Sequence, residues 1–105
     1  MKKLSQEEAI SISQEFIDKL RFSGINIRHA FLYGSYLRNE QREYSDIDVA
    51  IIAEEFTGIL PLDLPIILNI LKDYSIIHAK TYSMDDWING EPFLDEIVKA
   101  GLELN

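Results

Sequence analysis

The amino-acid sequence predicts an α/β (α+β) fold, in which helices flank a small mixed β-sheet. Two segments, 5–22 and 63–72, carry apolar residues at helical spacing. Three shorter segments, 25–33, 46–53 and 75–82, carry the apolar patterns that are typical of strands. With the helical segments near the end of the chain, the predicted order is α-β-β-α-β-α, which places helices over a sheet.

Capping signals locate the two longer helices. Ser5 and Glu8 have the spacing of a capping box, in which Ser5 is the N-cap and Glu8 reaches back to it. Gly24 ends this first helix. In the second helix, Asp63 is the predicted N-cap and Pro65 lies in the first turn, where its missing N–H leaves no partner unsatisfied.

The predicted strands are expected to be deeply buried. The strand at 25–33 is apolar on both faces, which indicates a central position in the sheet. The strand at 46–53 carries a Val-Ala-Ile-Ile run that indicates burial on both faces as well. After the third strand, a short helix begins at Ser83, and a last helix runs from Pro92 to its end at Gly101.

Length and composition exclude several classes of protein. The 105 residues fit one domain, 1–105, and no apolar run approaches the roughly 20 residues of a membrane span. The absence of cysteine excludes disulfides and zinc–thiolate sites, and cytoplasmic residence is the default expectation. The formal net charge of −8 repels a phosphate backbone, so we expect no extended nucleic-acid binding. A free nucleotide with its metal ion stays compatible, because the ion offsets the local charge.

Two polar motifs indicate the chemistry of the chain. Gly34 and Ser35 follow the first strand, and such a turn offers backbone N–H groups and a hydroxyl to a phosphate. Asp46 and Asp48 stand at spacing i, i+2, so their side chains share a strand face, roughly 6.6 Å apart along the backbone. Two such carboxylates can bind one divalent ion or a pair. Each motif alone would be an ordinary turn or strand end, but together they predict a site for a metal–nucleotide complex.

These motifs, with Arg38 three residues after Ser35, resemble the signature of the DNA polymerase β-like nucleotidyltransferase superfamily. That signature consists of Gly-Ser, an arginine three residues later, a short loop, and Asp-x-Asp on a strand. The resemblance covers about residues 25–104 and includes the C-terminal segment 82–104. The length resembles that of the minimal nucleotidyltransferases, which have the catalytic domain and little else.

The resemblance implies the polymerase β-like nucleotidyltransferase fold and a role for each motif residue. Gly34 and Ser35 would hold the β- and γ-phosphates of a nucleoside triphosphate. Asp46 and Asp48 would bind Mg²⁺, which needs oxygen ligands. Arg38 would help to position a phosphate or the loop. The implied reaction moves a nucleoside monophosphate, AMP from ATP or the equivalent from another triphosphate, onto an acceptor hydroxyl and releases pyrophosphate.

One position departs from the family pattern. The family has a third carboxylate on a later strand, beside the Asp pair, and the resemblance of segment 82–87 places His78 at that position. Histidine can act as a general base near neutral pH, but it is a poor ligand for Mg²⁺. Two interpretations stay open: His78 is the catalytic base, or transfer is weak or lost. A strand histidine with a satisfied hydrogen bond is the structural alternative.

The resemblance also implies a protein partner, because minimal nucleotidyltransferases usually pair with a small helical HEPN protein in a toxin–antitoxin system. The family member is the antitoxin, which binds the toxin or transfers AMP to it. We therefore expect a nucleotidyltransferase that acts on a protein hydroxyl. The alternative is a catalytically degenerate domain of the same fold that binds a nucleotide or a partner. An aminoglycoside-modifying enzyme shares the motif, but such enzymes normally carry an additional helical domain.

Two groups of residues near these motifs have open roles. Ile59, Leu60 and Leu62 either form a contact in a homo-oligomer or pack beneath their own loop. Tyr36 and Tyr44 flank the motifs and are candidates for stacking on a nucleotide base.

Overall fold

The structure, a computed structural model, describes residues 4–42 and 45–105. Its elements are α1 (Gln6–Phe22), β1 (Ile27–Tyr33), β2 (Ile47–Ala53), α2 (Leu60–Leu71), β3 (Ile77–Tyr82), α3 (Met84–Asn89), α4 (Pro92–Ala100) and β4 (Leu102–Glu103). None of the helices in these ranges is both long enough and apolar enough to cross a membrane. The predicted α/β class is confirmed.

Four strands form one sheet in the order β3-β2-β1-β4. β2 pairs with β1 in antiparallel and with β3 in parallel orientation, and β4 pairs antiparallel with the other side of β1. The sheet is therefore mixed, as predicted, with β1 and β2 in its interior. The sequence pattern missed β4, because its two residues pair only with Phe31 and Leu32 and carry no period of their own.

β2 is the central element and separates two apolar layers. Val49 and Ile51 belong to the core that α1 and α2 cover, and Ala50 and Ile52 belong to the core beneath α3 and α4. Every residue of β2 is buried except Asp48, which is partly exposed. The only accessible side chain of β2 is therefore that of Asp48, near the start of the strand, beside the apolar layer beneath α3 and α4.

The first helix has the ends that the sequence predicted. The Ser5 hydroxyl accepts the backbone N–H of Glu8, and the Glu8 carboxylate accepts the N–H of Ser5, each at 3.0 Å. This capping box satisfies two N–H groups that the helix itself leaves unpaired. Gly24 follows the helix with φ of 105°, a conformation that residues with a Cβ rarely adopt.

The second helix begins earlier than predicted. α2 starts at Leu60, and its N-cap residue Ile59 makes no side-chain hydrogen bond. The predicted N-cap role of Asp63 is therefore wrong. Pro61 occupies the early helical position that suits proline, whereas Pro65 lies inside the helix.

Asp63 instead joins the loop before α2 to β3. Its buried carboxylate accepts the N–H groups of Thr57 and Gly58, at 2.8 and 3.0 Å. It also accepts the hydroxyls of Thr57 and Thr81, at 2.9 and 2.7 Å. Burial raises the pKa of the Asp63 carboxyl, but the hydrogen bonds from Thr57, Thr81 and Gly58 outweigh burial and hold this pKa below its ordinary value.

Strand boundaries differ from the predicted ones by one or two residues, because turns occupy the predicted ends. The N–H of Ile25 donates to the Leu20 carbonyl, so β1 begins only at Ile27. The N–H of Ile77 donates to the Tyr74 carbonyl, which closes a turn just before β3. β2 likewise begins one residue after its predicted start.

Two of the three apolar residues around the start of α2 are strongly exposed. Ile59 is 55% exposed and Leu62 is 61% exposed, whereas Leu60 is partly buried. The alternative in which Ile59 and Leu62 pack beneath their own loop is therefore wrong. Their participation in a contact between copies stays a prediction.

We expect Asp63→Asn to lower the free energy of unfolding by about 1–3 kcal/mol at pH 7, because an amide NH₂ would face hydrogen-bond donors. The folded-state pKa of Asp63 lies below its ordinary value of 3.8, so the stabilisation is complete above that value and disappears as the pH falls through the folded pKa. Urea unfolding should therefore show a difference between variant and wild type that shrinks in acid. Asp73→Asn, at an exposed position, is the control, and equal losses in the two variants would count against this role.

Candidate active site

The predicted site residues meet at one end of the sheet, where side chains form a row across three strands. Asp48 of β2 pairs with Tyr33 of β1 on one side and with His78 of β3 on the other. Paired residues share a face of the sheet. Nδ1 of His78 lies 3.2 Å from Oδ1 of Asp48. The structure thus brings His78 beside Asp48, and the catalytic roles of both stay predictions.

Gly34 closes the site on the β1 side, and two constraints require glycine there. Its φ is 79°, in the region that residues with a Cβ rarely adopt. A Cβ at this position would overlap Oδ2 of Asp48. The Asp48 carboxylate therefore lies directly against the backbone of the turn, in space that any other residue would fill.

The segment 35–39 forms an irregular hydrogen-bonded turn. Asn39 has a φ of 56°, which bends the chain out of helical geometry, and the Glu40 N–H donates to the Ser35 carbonyl at 2.8 Å. Within residues 4–42 and 45–105, three successive backbone N–H groups have no hydrogen-bond acceptor, those of Ser35, Tyr36 and Leu37. Unpaired backbone donors of this kind are available to an anionic ligand such as a phosphate.

Arg38 lies on the outer side of this turn. Its exposed guanidinium forms an ion pair with the carboxylate of Glu40. With Tyr33 and Gly34, Arg38 lines a cleft of about 160 Å³ between the turn and α4. The structure therefore places Arg38 beside the Gly34 turn, and its role toward a phosphate stays a prediction.

Tyr36 packs inward and does not flank the site. The ring is buried in the core, and its hydroxyl donates to the Ser45 carbonyl at 3.2 Å. Burial and the charges of Asp46 and Glu8 raise the pKa of this phenol. The predicted stacking of Tyr36 on a base is wrong, because its ring has no free face. Tyr44, the second candidate, lies outside the described residues.

Asp46 is exposed immediately before β2, two residues from Asp48. In the described part of the chain, no group of three or more His, Cys, Asp or Glu side chains has an arrangement that could hold a metal ion. A metal ion at Asp46 and Asp48 would therefore take its remaining ligands from a substrate or from water.

A lysine that the sequence analysis missed lies on the same face. Lys80 follows His78 by two residues on β3, and its Nζ atom lies 3.9 Å from the centroid of the Phe93 ring. The Phe93 ring meets Tyr33 edge-on, at 6.3 Å between centroids. Residues 78 and 80 are two apart in a strand and so share one face, which means that the sequence alone could have placed Lys80 beside His78. The contact with Phe93 depends on where α4 packs, and no local pattern predicts it.

Two tyrosine hydroxyls lie on this face of the sheet. Burial and the nearby charge of Asp48 raise the pKa of Tyr33 to about 12, so its phenol stays protonated at neutral pH. Burial also raises the pKa of Tyr82, and its hydroxyl has no hydrogen-bond partner in residues 4–42 and 45–105. Both groups are therefore neutral O–H donors on the face that carries Asp48.

The comparison with protein families matches residues 10–104 to the family described as "Polymerase beta, Nucleotidyltransferase". The match spans both strands that carry the motifs and the strand that carries His78. This chain belongs to the polymerase β nucleotidyltransferase family. The resemblance of the Gly-Ser and Asp-x-Asp motifs to that superfamily is thereby confirmed.

Two solved structures are similar to this member of the family. A "putative nucleotidyltransferase" from Sulfolobus solfataricus has a TM-score of 0.68 at 14% identity, covering 93% of this chain and 80% of that one. A toxin–antitoxin complex with AMP-PNP contains a chain with a TM-score of 0.58 at 20% identity, covering 88% of this chain and 72% of that one. At these identities the similarity shows a shared fold. The comparison with curated proteins gives no significant match.

We expect Gly34→Ala to displace the Asp48 carboxylate and to lower the free energy of unfolding by about 1–2 kcal/mol or more, since φ is positive and the Cβ overlaps Oδ2. Gly24→Ala is a matched control, because Gly24 has φ of 105° but no atom near its Cβ position. Amide NMR spectra should show shifts at Asp48 and His78 in Gly34→Ala alone. Unmoved Asp48 and His78 signals in that variant would contradict the close contact.

Proposed function

We propose that this chain is a Mg²⁺-dependent nucleotidyltransferase that transfers AMP from ATP to a hydroxyl group of a protein partner. The observation that carries the proposal is the position of the Asp48 carboxylate, between the Gly34 turn and the ring of His78. The turn that we propose to bind phosphate and the histidine that we propose to accept a proton both contact this carboxylate. Membership of the family supports the class of reaction.

Asp46 and Asp48 fit a magnesium site. Proteins commonly bind Mg²⁺ through one or two carboxylates, while substrate phosphates and water supply the other ligands. Asp48 directs Oδ1 toward His78 and Oδ2 toward Gly34, and each carboxylate oxygen has a further lone pair. When bound, the metal ion would neutralise charge on the phosphate oxygens.

The residues of the chain would bind and orient the two reactants. The N–H groups of Ser35, Tyr36 and Leu37, which have no acceptor in residues 4–42 and 45–105, would hold the β- and γ-phosphates. The acceptor oxygen attacks the α-phosphorus, a new P–O bond forms, and the bond from the α-phosphorus to the bridging oxygen breaks, which releases pyrophosphate. The hydroxyl proton passes to Nε2 of His78, since Nδ1 faces Asp48. The His78 side chain is 62% exposed, so an acceptor can approach it from outside.

A second protein would supply the acceptor hydroxyl. A toxin–antitoxin complex contains a chain of this fold, which supports an antitoxin role with a HEPN-type toxin as the partner. Ile59, Leu62 and Ile66 offer an apolar surface for such a contact, with exposed fractions of 55%, 61% and 42%. Leu62 and Ile66 are four residues apart in α2 and so lie on one face of it, and Ile59 is the residue that precedes the helix.

ATP binding tests the proposed site. We expect the wild type to bind ATP with Mg²⁺, and Asp48→Asn to lose at least about tenfold in affinity, because the amide lacks the charge that the metal requires. Titration calorimetry with and without Mg²⁺ measures both affinities. Asp48 is only partly buried at the end of β2, so the melting temperature should change little.

Asp85→Asn is the matched control, because it removes the same charge from an exposed position on α3. Its ATP affinity should stay within about twofold of the wild type. Equal ATP affinity in the wild type and Asp48→Asn would refute the proposed site. Metal-independent binding in both would refute the magnesium requirement alone.

A catalytically degenerate binding domain of the same fold is the second candidate. The observation that favours it is His78 itself. Its ring nitrogen lies beside Asp48, at the position where the family resemblance implies a third carboxylate. Mg²⁺ prefers oxygen, so a site with two carboxylates and a histidine holds it less firmly. Such a domain would bind a nucleotide or its partner without transferring AMP.

Substitution of His78 separates the two candidates. If His78 is the base, His78→Gln should lower AMP transfer to the partner by about 10²-fold or more, with ATP affinity nearly unchanged. Transfer is measured as label from α-³²P-ATP on the partner protein. His29→Gln is the control, because His29 pairs with Glu103 and stacks on Trp87. Higher transfer in His78→Glu than in the wild type would instead identify a degenerate site.

A further inference from the structure

We infer that Lys80 is a positioning residue for the nucleotide, which holds phosphate oxygens on the β3 side of Asp48. The inference rests on the proposed function and adds a group that belongs to neither sequence motif. Lys80 follows His78 by two residues in β3, so both side chains share one face of the sheet. That face also carries Asp48, the register partner of His78.

Two rows of paired side chains form the floor of this region. The first row consists of Tyr33, Asp48 and His78, and the second consists of Phe31, Ala50 and Lys80. Neighbouring rows on one face are roughly 6.6 Å apart, and the four-carbon side chain of Lys80 has the reach to cross that distance. Ala50 is the small residue of the second row.

Aromatic rings hold the ammonium group of Lys80 in place. Its Nζ atom lies 3.9 Å from the centroid of Phe93 and 5.8 Å from that of Tyr82. A cation over an aromatic face is attracted by the negative charge density of the ring. The edge-on contact between Phe93 and Tyr33 fixes the first ring in turn. These rings orient the charge of Lys80 without neutralising it.

The charge of Lys80 has no acidic partner within residues 4–42 and 45–105, where no Asp or Glu oxygen lies within 4.0 Å of Nζ. By contrast, Arg28 and Arg38 both pair with glutamates. Lys80 differs from these two arginines because its ammonium group faces aromatic rings and not a carboxylate. The hydroxyl of Tyr82, next to Lys80, is also without a partner in the described ranges. An oxyanion would pair with the ammonium group of Lys80.

The ligand that fits this position is the phosphate chain of the nucleotide. The Gly34 turn would bind phosphates on one side of Asp48, and Lys80 would bind them on the other. Lysine acts as a point charge toward phosphate and needs no fixed two-point geometry. ATP should therefore gain more from Lys80 than AMP does, because ATP carries more charge along a longer chain of phosphates.

Lys80→Met tests the inference, because it keeps an unbranched apolar side chain and removes the charge. We expect its ATP affinity in Mg²⁺ to fall about tenfold or more, and its AMP affinity to change less than about threefold. Lys80→Arg keeps the charge and should retain most of the affinity. Lys99→Met removes the same charge from an exposed position on α4 and should match the wild type within about twofold. Calorimetry gives the affinities, and melting temperatures confirm folding.

Each outcome decides between a charge role and a packing role. Equal losses for ATP and AMP would overturn the inference, since they would indicate packing. Unchanged ATP affinity in Lys80→Met, beside a wild type that binds ATP, would overturn it and leave the proposed function standing. A wild type that binds no ATP would overturn both. If Lys80→Met does not fold, Phe93→Leu takes its place, because it removes the ring that holds the Lys80 ammonium group. An unchanged ratio of ATP affinity to AMP affinity in Phe93→Leu would overturn the inference.

Discussion

The close approach of Gly34 to the Asp48 carboxylate is the constraint on which the site depends. β1 and β2 pair in the interior of the sheet between two apolar layers, so their separation is fixed. At the end of β1, the positive φ of Gly34 turns the chain, and its missing side chain leaves the space that the carboxylate fills. The missing Cβ of Gly34 thus allows the turn to lie directly against a carboxylate.

The burial pattern of the sheet explains why accessible polar side chains lie at this end. β2 is buried on both faces except at Asp48, where the layer of α3 and α4 stops. On β3, successive side chains point alternately to the face that carries the candidate site and to the opposite face. Thr81 points to the opposite face from Lys80 and bonds the buried carboxylate of Asp63, which ties this strand to the loop before α2. The hydrogen bonds of Asp63 therefore hold the strand that presents His78 and Lys80.

Local signals in the sequence predicted the elements that depend on local rules. The capping box of Ser5 and the turn at Gly34 lie where they were predicted, because capping and glycine geometry act over a few residues. Asp63 was misassigned because it resembles an N-cap, while one of its partners, Thr81, is 18 residues away. The inward packing of Tyr36 and the contact between Lys80 and Phe93 depend on tertiary packing, which spacing along the chain does not encode.

The charges at the site connect the departure at His78 with the presence of Lys80. With histidine counted as neutral, Asp46 and Asp48 contribute −2 and Lys80 contributes +1, a sum of −1. A third carboxylate in place of His78, without the lysine, would give −3. A less negative site would repel a triphosphate less, so a bound nucleotide would need less charge compensation from a metal ion. If the proposed site binds ATP, a histidine beside Asp48 and a lysine one row away would act in the same direction, because both make the site less negative than three carboxylates would.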